Sequence, residues 1–327
     1  MQGVQLYLAS VNAAGGVHGR RLKLRTLDDT GKSALAEAHA RQLVQEGVFM
    51  LFGSLEGGPS TAVAGVAQEA GVPLFGPMAG SPGLRRPHLP MVYPVRAEHR
   101  EEFRALLTWA RDTGLNRVAF LHADSDNGRE HAGNVQRLCE ELRLQFSLPL
   151  PFKSDGGEPQ LAALVQRIVD DRPGLMINHG SAALYTQIIR RAKAAGSRTA
   201  FMAVNSGSSQ IAGELGPLAQ GMVFAQVVPS PFEGKRAITR EYQAAMTRAL
   251  PGRPFDYGGL EGFMTTKALV AALRAQGPAL TRAGFVQGLE KLDLDLGGVS
   301  LRYRPGEHEG SRFVDLSMVS RQGQFIH

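Results

Sequence analysis

Between Val11 and Gly31 the sequence VNAAGGVHGRRLKLRTLDDTG changes its hydrophobic period, and this change restricts the chain to a helix followed by a strand. Apolar residues before it recur at helical spacing (Val4, Leu8, Val11), and Gly15-Gly16 supplies the left-handed C-cap that ends such a helix. Beyond the turn, Leu22, Leu24 and Thr26 alternate with Arg21, Lys23 and Arg25, as in a strand with one buried face, and Asp28-Asp29 close it. Parallel sheets are built from strand, helix, strand, yet this chain opens on the helix. The first sheet is therefore expected to lack its first strand and to carry a gap or an open edge with unpaired N–H and C=O groups.

The 327 residues are enough for two domains with ordinary cores. With 43% hydrophobic and 20% charged residues, the chain is neither disordered nor fibrous. No apolar run approaches the roughly 18 to 20 residues of a membrane span, so membrane insertion is not expected. Cys139 is the single cysteine, which excludes an intrachain disulfide and a cysteine-rich metal site; it lies in an apolar helical pattern and reads as a small core hydrophobe. The net charge of +6 would suit an anionic partner, but Lys and Arg are interleaved with acids and only 7% of residues are aromatic, so no nucleic-acid partner is expected. Met1-Gln2 leads straight into an amphipathic helix, without the charged start, apolar core and cleavage site of a secretory signal.

From Val11 onward, short apolar strands alternate with amphipathic helices at intervals of about 25 to 30 residues, the mark of βαβ units with right-handed crossovers. Strands are predicted at Leu22–Leu27, Val48–Phe52, Pro73–Phe75, Val118–His122, Leu175–Asn178, Thr199–Val204 and Met222–Gln226. Helices are predicted near Ser33–Glu46, Thr61–Ala70, Glu98–Thr113, Asn127–Leu142, Pro159–Asp170 and Ala182–Ala195. After Pro229 the rhythm breaks into helices near Lys235–Leu250, Leu260–Arg274 and Thr281–Leu292, then strands at Val299–Tyr303 and Phe313–Ser320. Residues 11–95 and 115–228 read as two comparable α/β halves, each a doubly wound, mostly parallel sheet, with a cleft between them.

Two glycine loops fall at the C-terminal edge of the first sheet. Gly53 and Gly58 in GSLEGGPST have phosphate-loop spacing, but Pro59 stands where the phosphate-binding lysine is needed. What remains is a helix start whose N–H groups suit a carboxylate, with Ser54, Leu55, Glu56, Gly57, Gly58 and Ser60 as candidate ligand contacts. A plain tight turn, with Pro59 at the first helical position and Ser60 as cap, explains the same residues. The second loop, GPMAGSPG, adds Pro77, Met78, Ala79 and Gly80. Its Ala79 to Gly83 stretch imitates a serine nucleophile elbow, but Pro82, Gly83 and Pro87 forbid the helix such an elbow requires. Neither HExxH nor Cys-x-x-Cys occurs, and no metal or cofactor is expected. In the second half the corresponding edge offers His122, Asp124, Asp126, Asn127, Asn178, His179, Ser181, Asn205 and Ser206, a hydrogen-bonding set rather than a catalytic one. Asp124 and Asp126 suit a cation or an ammonium group, although helix caps are the commoner use of such loop aspartates. Trp109 accompanies the core stripe of Phe103, Leu106, Leu107 and Ala110 and reads as packing.

Taken in order, Asn12 to Gly19 with Asp28-Asp29, Phe52-Gly53 through Gly58-Pro59, Gly71-Val72-Pro73, and Arg190 to Phe201 (RRAKAAGSRTAF) resemble the leucine/isoleucine/valine-binding type of periplasmic solute-binding protein, the type I binding fold. Tyr257-Gly258-Gly259-Leu260-Glu261-Gly262-Phe263 resembles the Y-x-S-L-E-G-Y/F signature of a subgroup of these ABC-transporter receptors, and Gly310 to Asp315 (GSRFVD) resembles that subgroup too. The resemblance covers nearly the whole chain. It implies two α/β lobes joined by three crossovers near Arg96–Glu98, Val228–Pro231 and Pro305–Gly310, closing by a hinge on a small solute that is passed to a membrane permease. By that mapping lobe 1 is residues 1–97 plus 229–306 and lobe 2 is residues 98–228 plus 307–327. It also implies a periplasmic address, no enzyme activity, and Tyr257 and Glu261 as further ligand contacts.

Departures from the family bear on the ligand. Amino-acid-binding members use hydroxyl side chains in the two loops and an acid in the other lobe; the matching positions here are Gly57, Gly80 and Asn205. Without that acid a buried ammonium would go unpaired, at a cost of several kcal/mol. Asn127 and Ser181 stand where such members place tyrosines. A small organic acid or related polar metabolite without a free amine is the ligand expected. The alternatives are a ligand-sensing domain of a regulator or receptor with the same fold, and an enzyme on a doubly wound sheet.

Overall fold

The computed structural model describes residues 1–205 and 207–327. In chain order the helices and strands are α1 (Gln2–Ala13), α2 (Ser33–Gln45), β1 (Leu51–Phe52), α3 (Gly57–Ala70), β2 (Leu74–Phe75), β3 (Val92–Tyr93), α4 (His99–Asp112), β4 (Arg117–Ala123), α5 (Asp126–Leu142), β5 (Gln145–Phe152), α6 (Gly157–Asp171), β6 (Leu175–His179), α7 (Ala182–Ala194), β7 (Ala200–Ala203), α8 (Ser208–Leu215), β8 (Val223–Gln226), α9 (Ala237–Ala249), α10 (Tyr257–Ala275), α11 (Arg282–Leu289), β9 (Asp293–Asp295), β10 (Ser300–Arg304), β11 (Glu307–Gly310), β12 (Asp315–Val319) and β13 (Phe325–Ile326). They form two units, Met1–Glu98 with Val228–Phe313, and His99–Val227 with Val314–His327.

In the first unit β1, β2 and β3 form a parallel sheet in that order, with Leu51 opposite Leu74 and Leu74 opposite Val92. Apolar residues of α2 and α3 (Ala36, Ala40, Val63, Val66, Ala67) are buried against Leu51, Leu74 and Val92. Helix α10 is apolar on almost every side, as a helix enclosed by others must be. It takes α1 at close range: a Cβ on Gly3 would stand 1.8 Å from the carbonyl oxygen of Gly259, so only glycine permits this crossing.

The predicted Leu22–Leu27 strand does not form. Residues 21–29 belong to no ladder; Leu22 is tied by its backbone, its N–H donating to Asn12 Oδ1 and its carbonyl accepting from Asn12 Nδ2, both at 2.8 Å, and Asp28 and Asp29 serve the following turn. Its alternating pattern suits a strand, but among the described residues no neighbouring strand pairs with it. Residues 307–313, expected in the second lobe, group with the first unit. The β10–β11 hairpin turns them back, His308 Nδ1 donates to the Val92 carbonyl at 3.1 Å, and the N–H of Ser311 donates to that of Val95 at 3.0 Å.

The second unit is built on one sheet in the order β13-β12-β8-β7-β6-β4-β5, parallel from β5 through β8 and closed by antiparallel β12 and β13. Phe103, Leu106, Phe120, Val135, Leu138 and Cys139 fill the core on one face. Leu121, Leu150, Leu161, Ile168, Tyr185 and Ile188 fill the other, so the unit is doubly wound. Burial raises the Cys139 thiol to about 12, which makes it an inert core residue. Strand β5 and helix α8 were not expected from the pattern.

Candidate functional site

In the first unit, β1 and β2 deliver the two glycine loops to the same sheet edge. The N–H of Met78 donates to the Ser54 carbonyl at 2.9 Å, and Leu55 and Met78 form an isolated parallel bridge. Two non-glycine residues of the first loop are left-handed: Ser54 at φ 82° and Glu56 at φ 62°, ψ 157°, the latter in a region that is almost exclusively glycine. This strained turn starts α3 at Gly57, earlier than expected. Two predictions are corrected by it. Pro59 is not the first helical residue, and Ser60 is not the cap; its N–H donates to the Glu56 carbonyl at 3.2 Å and its fully buried hydroxyl lies 3.2 Å from Ser54 Oγ. Leu55, Glu56 and Gly58 are exposed, whereas Pro77, Ala79 and Gly80 are buried and Met78 is half-buried.

Helix α10 carries Tyr257 and Glu261, both buried. Asp256 caps it, accepting from the N–H of Gly259 at 2.6 Å. At Gly76 a Cβ would meet Thr265 Cγ2 at 2.3 Å, so the second loop is seated directly against α10. Glu261, buried, faces buried Arg96 with 3.7 Å between Oε1 and Nη1. Arg85 is wholly buried below the second loop, where it donates to the carbonyls of Ser81 (3.2 Å), Arg96 (2.9 Å) and Glu309 (3.3 Å). Desolvation lowers its guanidinium to about 10, leaving it charged at neutral pH.

At the C-terminal edge of the second unit's parallel strands, the structure gathers His99 and Glu102 from α4, His122 and His179 from β4 and β6, His131 from α5, and Asn205 after β7. Glu102 is completely buried; Oε2 is 2.7 Å from His99 Nδ1 and Oε1 accepts from the Asn205 N–H at 2.9 Å. The His179 ring centroid lies 4.0 Å from that of His131 and 4.4 Å from that of His99. His122 gives its Nδ1 proton to the Ala123 carbonyl at 2.9 Å, and burial lowers its pKa. Among the described residues neither ring nitrogen of His131 has a hydrogen-bond partner, and burial, then the neighbouring His99 and His122, pushes its pKa down to about 2.

Other predicted contacts do not join this cluster. Ser125, not Asp124 or Asp126, caps α5, accepting from Gly128 N–H; the two aspartates instead bind Arg129 at 2.9 and 2.6 Å, with Asp126 fully exposed. Asn127 is half-buried in the first turn of α5, and exposed Ser181 caps α7 by accepting from the Leu184 N–H at 3.3 Å. Ser206 lies outside the described residues. Sequence reasoning missed Arg85, Arg96, His99, Glu102 and His131. A signal existed for two of them: His99 and Glu102 share the helical stripe of Phe103 and Leu106, which places an ionisable pair on a buried face. Among the described residues no group of three or more His, Cys, Asp or Glu is arranged to hold a metal ion. The first unit offers backbone and hydroxyl donors at its loops. The second unit, taken by itself, offers imidazoles around an engaged carboxylate.

Doubly wound units with ligand-type loops at the ends of parallel strands define a protein of the type I periplasmic binding fold. The chain belongs to the periplasmic binding protein family, which matches residues 1–324. It is 25% identical over 218 residues to the Leu/Ile/Val-binding protein of Citrobacter freundii, a match covering 65% of this chain and 59% of that relative. Among solved structures, a possible leucine/isoleucine/valine-binding protein from Rhodopirellula baltica superposes with a TM-score of 0.89 at 24% identity, covering 100% of this chain and 90% of the other. A branched-chain amino acid ABC transporter protein from Thermus thermophilus with bound valine gives 0.84 at 19% identity, covering 99% and 88%.

Proposed function

We propose that this protein is an extracytoplasmic solute-binding receptor of an ABC importer, acting in the periplasm beside a membrane permease, and that its solute is a small organic acid without a free amine. The observation that carries this reading is the strained first loop. Left-handed Ser54 and Glu56 are costly conformations, and backbone strain of this kind concentrates where a ligand is gripped. The turn starts α3 at Gly57, three positions after Ser54, and a helix start of this kind suits a carboxylate. Relatives named for leucine, isoleucine and valine make those amino acids the competing ligands. Against them, Asn205 carries no charge, and both oxygens of Glu102 are already engaged by His99 and the Asn205 backbone. A charged ammonium placed there would gain no carboxylate of its own.

Calorimetry with a panel of small mono- and dicarboxylic acids, with leucine and valine alongside, tests the proposal. Saturable binding of an acid, weakened by Ser54→Ala or Ser60→Ala, supports it. Tight binding of leucine or valine with none of the acids would reject the ligand class.

A further inference from the structure

Asn127-Gly128 is the one Asn-Gly pair in the sequence, and the second unit fixes both residues. Gly128 is buried where α5 starts beside the end of β4, and a Cβ there would stand 1.9 Å from the Ala123 carbonyl oxygen, so only glycine permits this approach. Asn127 is half-buried and belongs to the first turn of α5. An asparagine before glycine is chemically labile, because no Cβ shields the glycine nitrogen from the asparagine side chain. Packing thus imposes a labile pair on a residue expected to touch the solute.

The same turn restrains that pair. The Gly128 N–H donates to Ser125 Oγ at 3.2 Å, and the Arg129 N–H donates to the Ser125 carbonyl at 2.8 Å. For a ring to close, solvent base must reach the buried Gly128 N–H and the Asn127 backbone must rotate out of the helical range. Burial, cap and helix oppose both until the turn opens.

We propose that Asn127 is a self-modification site, at which the folded chain slowly converts this amide to a carboxylate, with the Ser125 cap as the gate. The Gly128 nitrogen attacks Asn127 Cγ; the new C–N bond closes a succinimide, the Cγ–Nδ2 bond breaks, and Nδ2 leaves as ammonia with the proton Gly128 has lost. Water then opens the ring at Cγ to give aspartate, or at the Asn127 main-chain carbonyl to give isoaspartate. Neither step needs an oxidant or a reductant. The aspartate product recloses the turn, since an acid is favoured in the first turn of a helix. Isoaspartate lengthens the main chain by one carbon next to Gly128, where the Ala123 carbonyl leaves no slack, so its turn stays open. Either product puts a negative charge beside Asp124 and Asp126, which already share Arg129. That this charge would repel the solute rests on the acid ligand proposed above; the modification itself does not.

The test ages the full chain in mildly alkaline buffer without solute and follows, by mass spectrometry, the amide-to-acid mass gain in the peptide carrying residue 127. Ser125→Ala should quicken conversion by about fivefold, the effect of losing a cap, and should quicken Gly128 amide exchange by the same factor. Ser125→Thr, which keeps a capping hydroxyl, should stay close to the parent. Urea-unfolded chain should convert roughly tenfold faster than folded chain or more. Asn127→Gln, which must close a larger ring, should lose the mass gain, and Asn127→Asp should keep slow exchange at Gly128 while the isoaspartate fraction of aged chain loses it. Three results overturn the proposal: equal conversion in Ser125→Ala and the parent, conversion in folded chain as fast as in urea, or exchange at Gly128 that quickens in Ser125→Ala while conversion does not.

Discussion

Glu102, in the first turn of α4, ties that helix to the end of β7, receiving the Asn205 N–H on one oxygen at 2.9 Å while the other lies 2.7 Å from His99. The carboxylate is fully buried, so its partners and not solvent hold it. Glu102→Gln keeps an acceptor for Asn205 but changes the bond to His99, and should cost about 1 to 3 kcal/mol in urea unfolding. Glu102→Ala leaves the Asn205 N–H and His99 without a partner and should cost more than Glu102→Gln. Equal stability of both variants and the parent would show the pairing to be unimportant.

Glu56 at φ 62°, ψ 157° stores strain that glycine would not. Glu56→Gly should therefore stabilise the chain by about 1 kcal/mol, read as a higher denaturant midpoint. If the strain serves binding, the same variant should hold the solute more weakly.

Arg85→Met removes donors from three buried carbonyls, those of Ser81, Arg96 and Glu309. A loss of about 3 kcal/mol or more is expected. Hydrogen exchange should quicken first in the second glycine loop, which this guanidinium ties to the segment after β3.

The buried His131 ring resists protonation until about pH 2, whereas the unfolded chain takes up that proton near pH 6.5. Between those values the unfolded state binds more protons, so stability falls as pH drops below about 6.5, by at most about 1.4 kcal/mol per pH unit from this residue. His131→Phe should flatten the decline by close to one proton, leaving the smaller contributions of His122 and His308. Unfolding midpoints at pH 7, 5.5 and 4.5 in parent and variant decide this.

Apart from the short α8, the helices of both units were legible in the sequence because their apolar stripes keep a helical period whatever surrounds them, as α4 and α5 show. Strands were legible where they are central: β4, β6 and β7 read as short apolar runs. Strand β5 was hidden by Pro149 and Pro151. It lies at the sheet edge and pairs only with β4, so the missing N–H groups cost the ladder nothing on its open side. Leu22–Leu27 failed in the opposite way, since period two describes a strand's side chains and says nothing about whether a neighbour exists to bond it. At the site, glycines and loop hydroxyls could be found from spacing. Glu102 and Arg85 could not be given roles, because their partners Asn205 and Glu309 lie more than 100 positions away in the chain.

The contact of Gly3 with Gly259 makes the first unit depend on residues from the two ends of its sequence. Helix α1 is anchored by α10, a neighbour more than 250 positions away, at a crossing that leaves no room for a Cβ. A single added methyl group there would push the two helices apart along their whole contact, so α1 is held by shape alone and would be released as one piece.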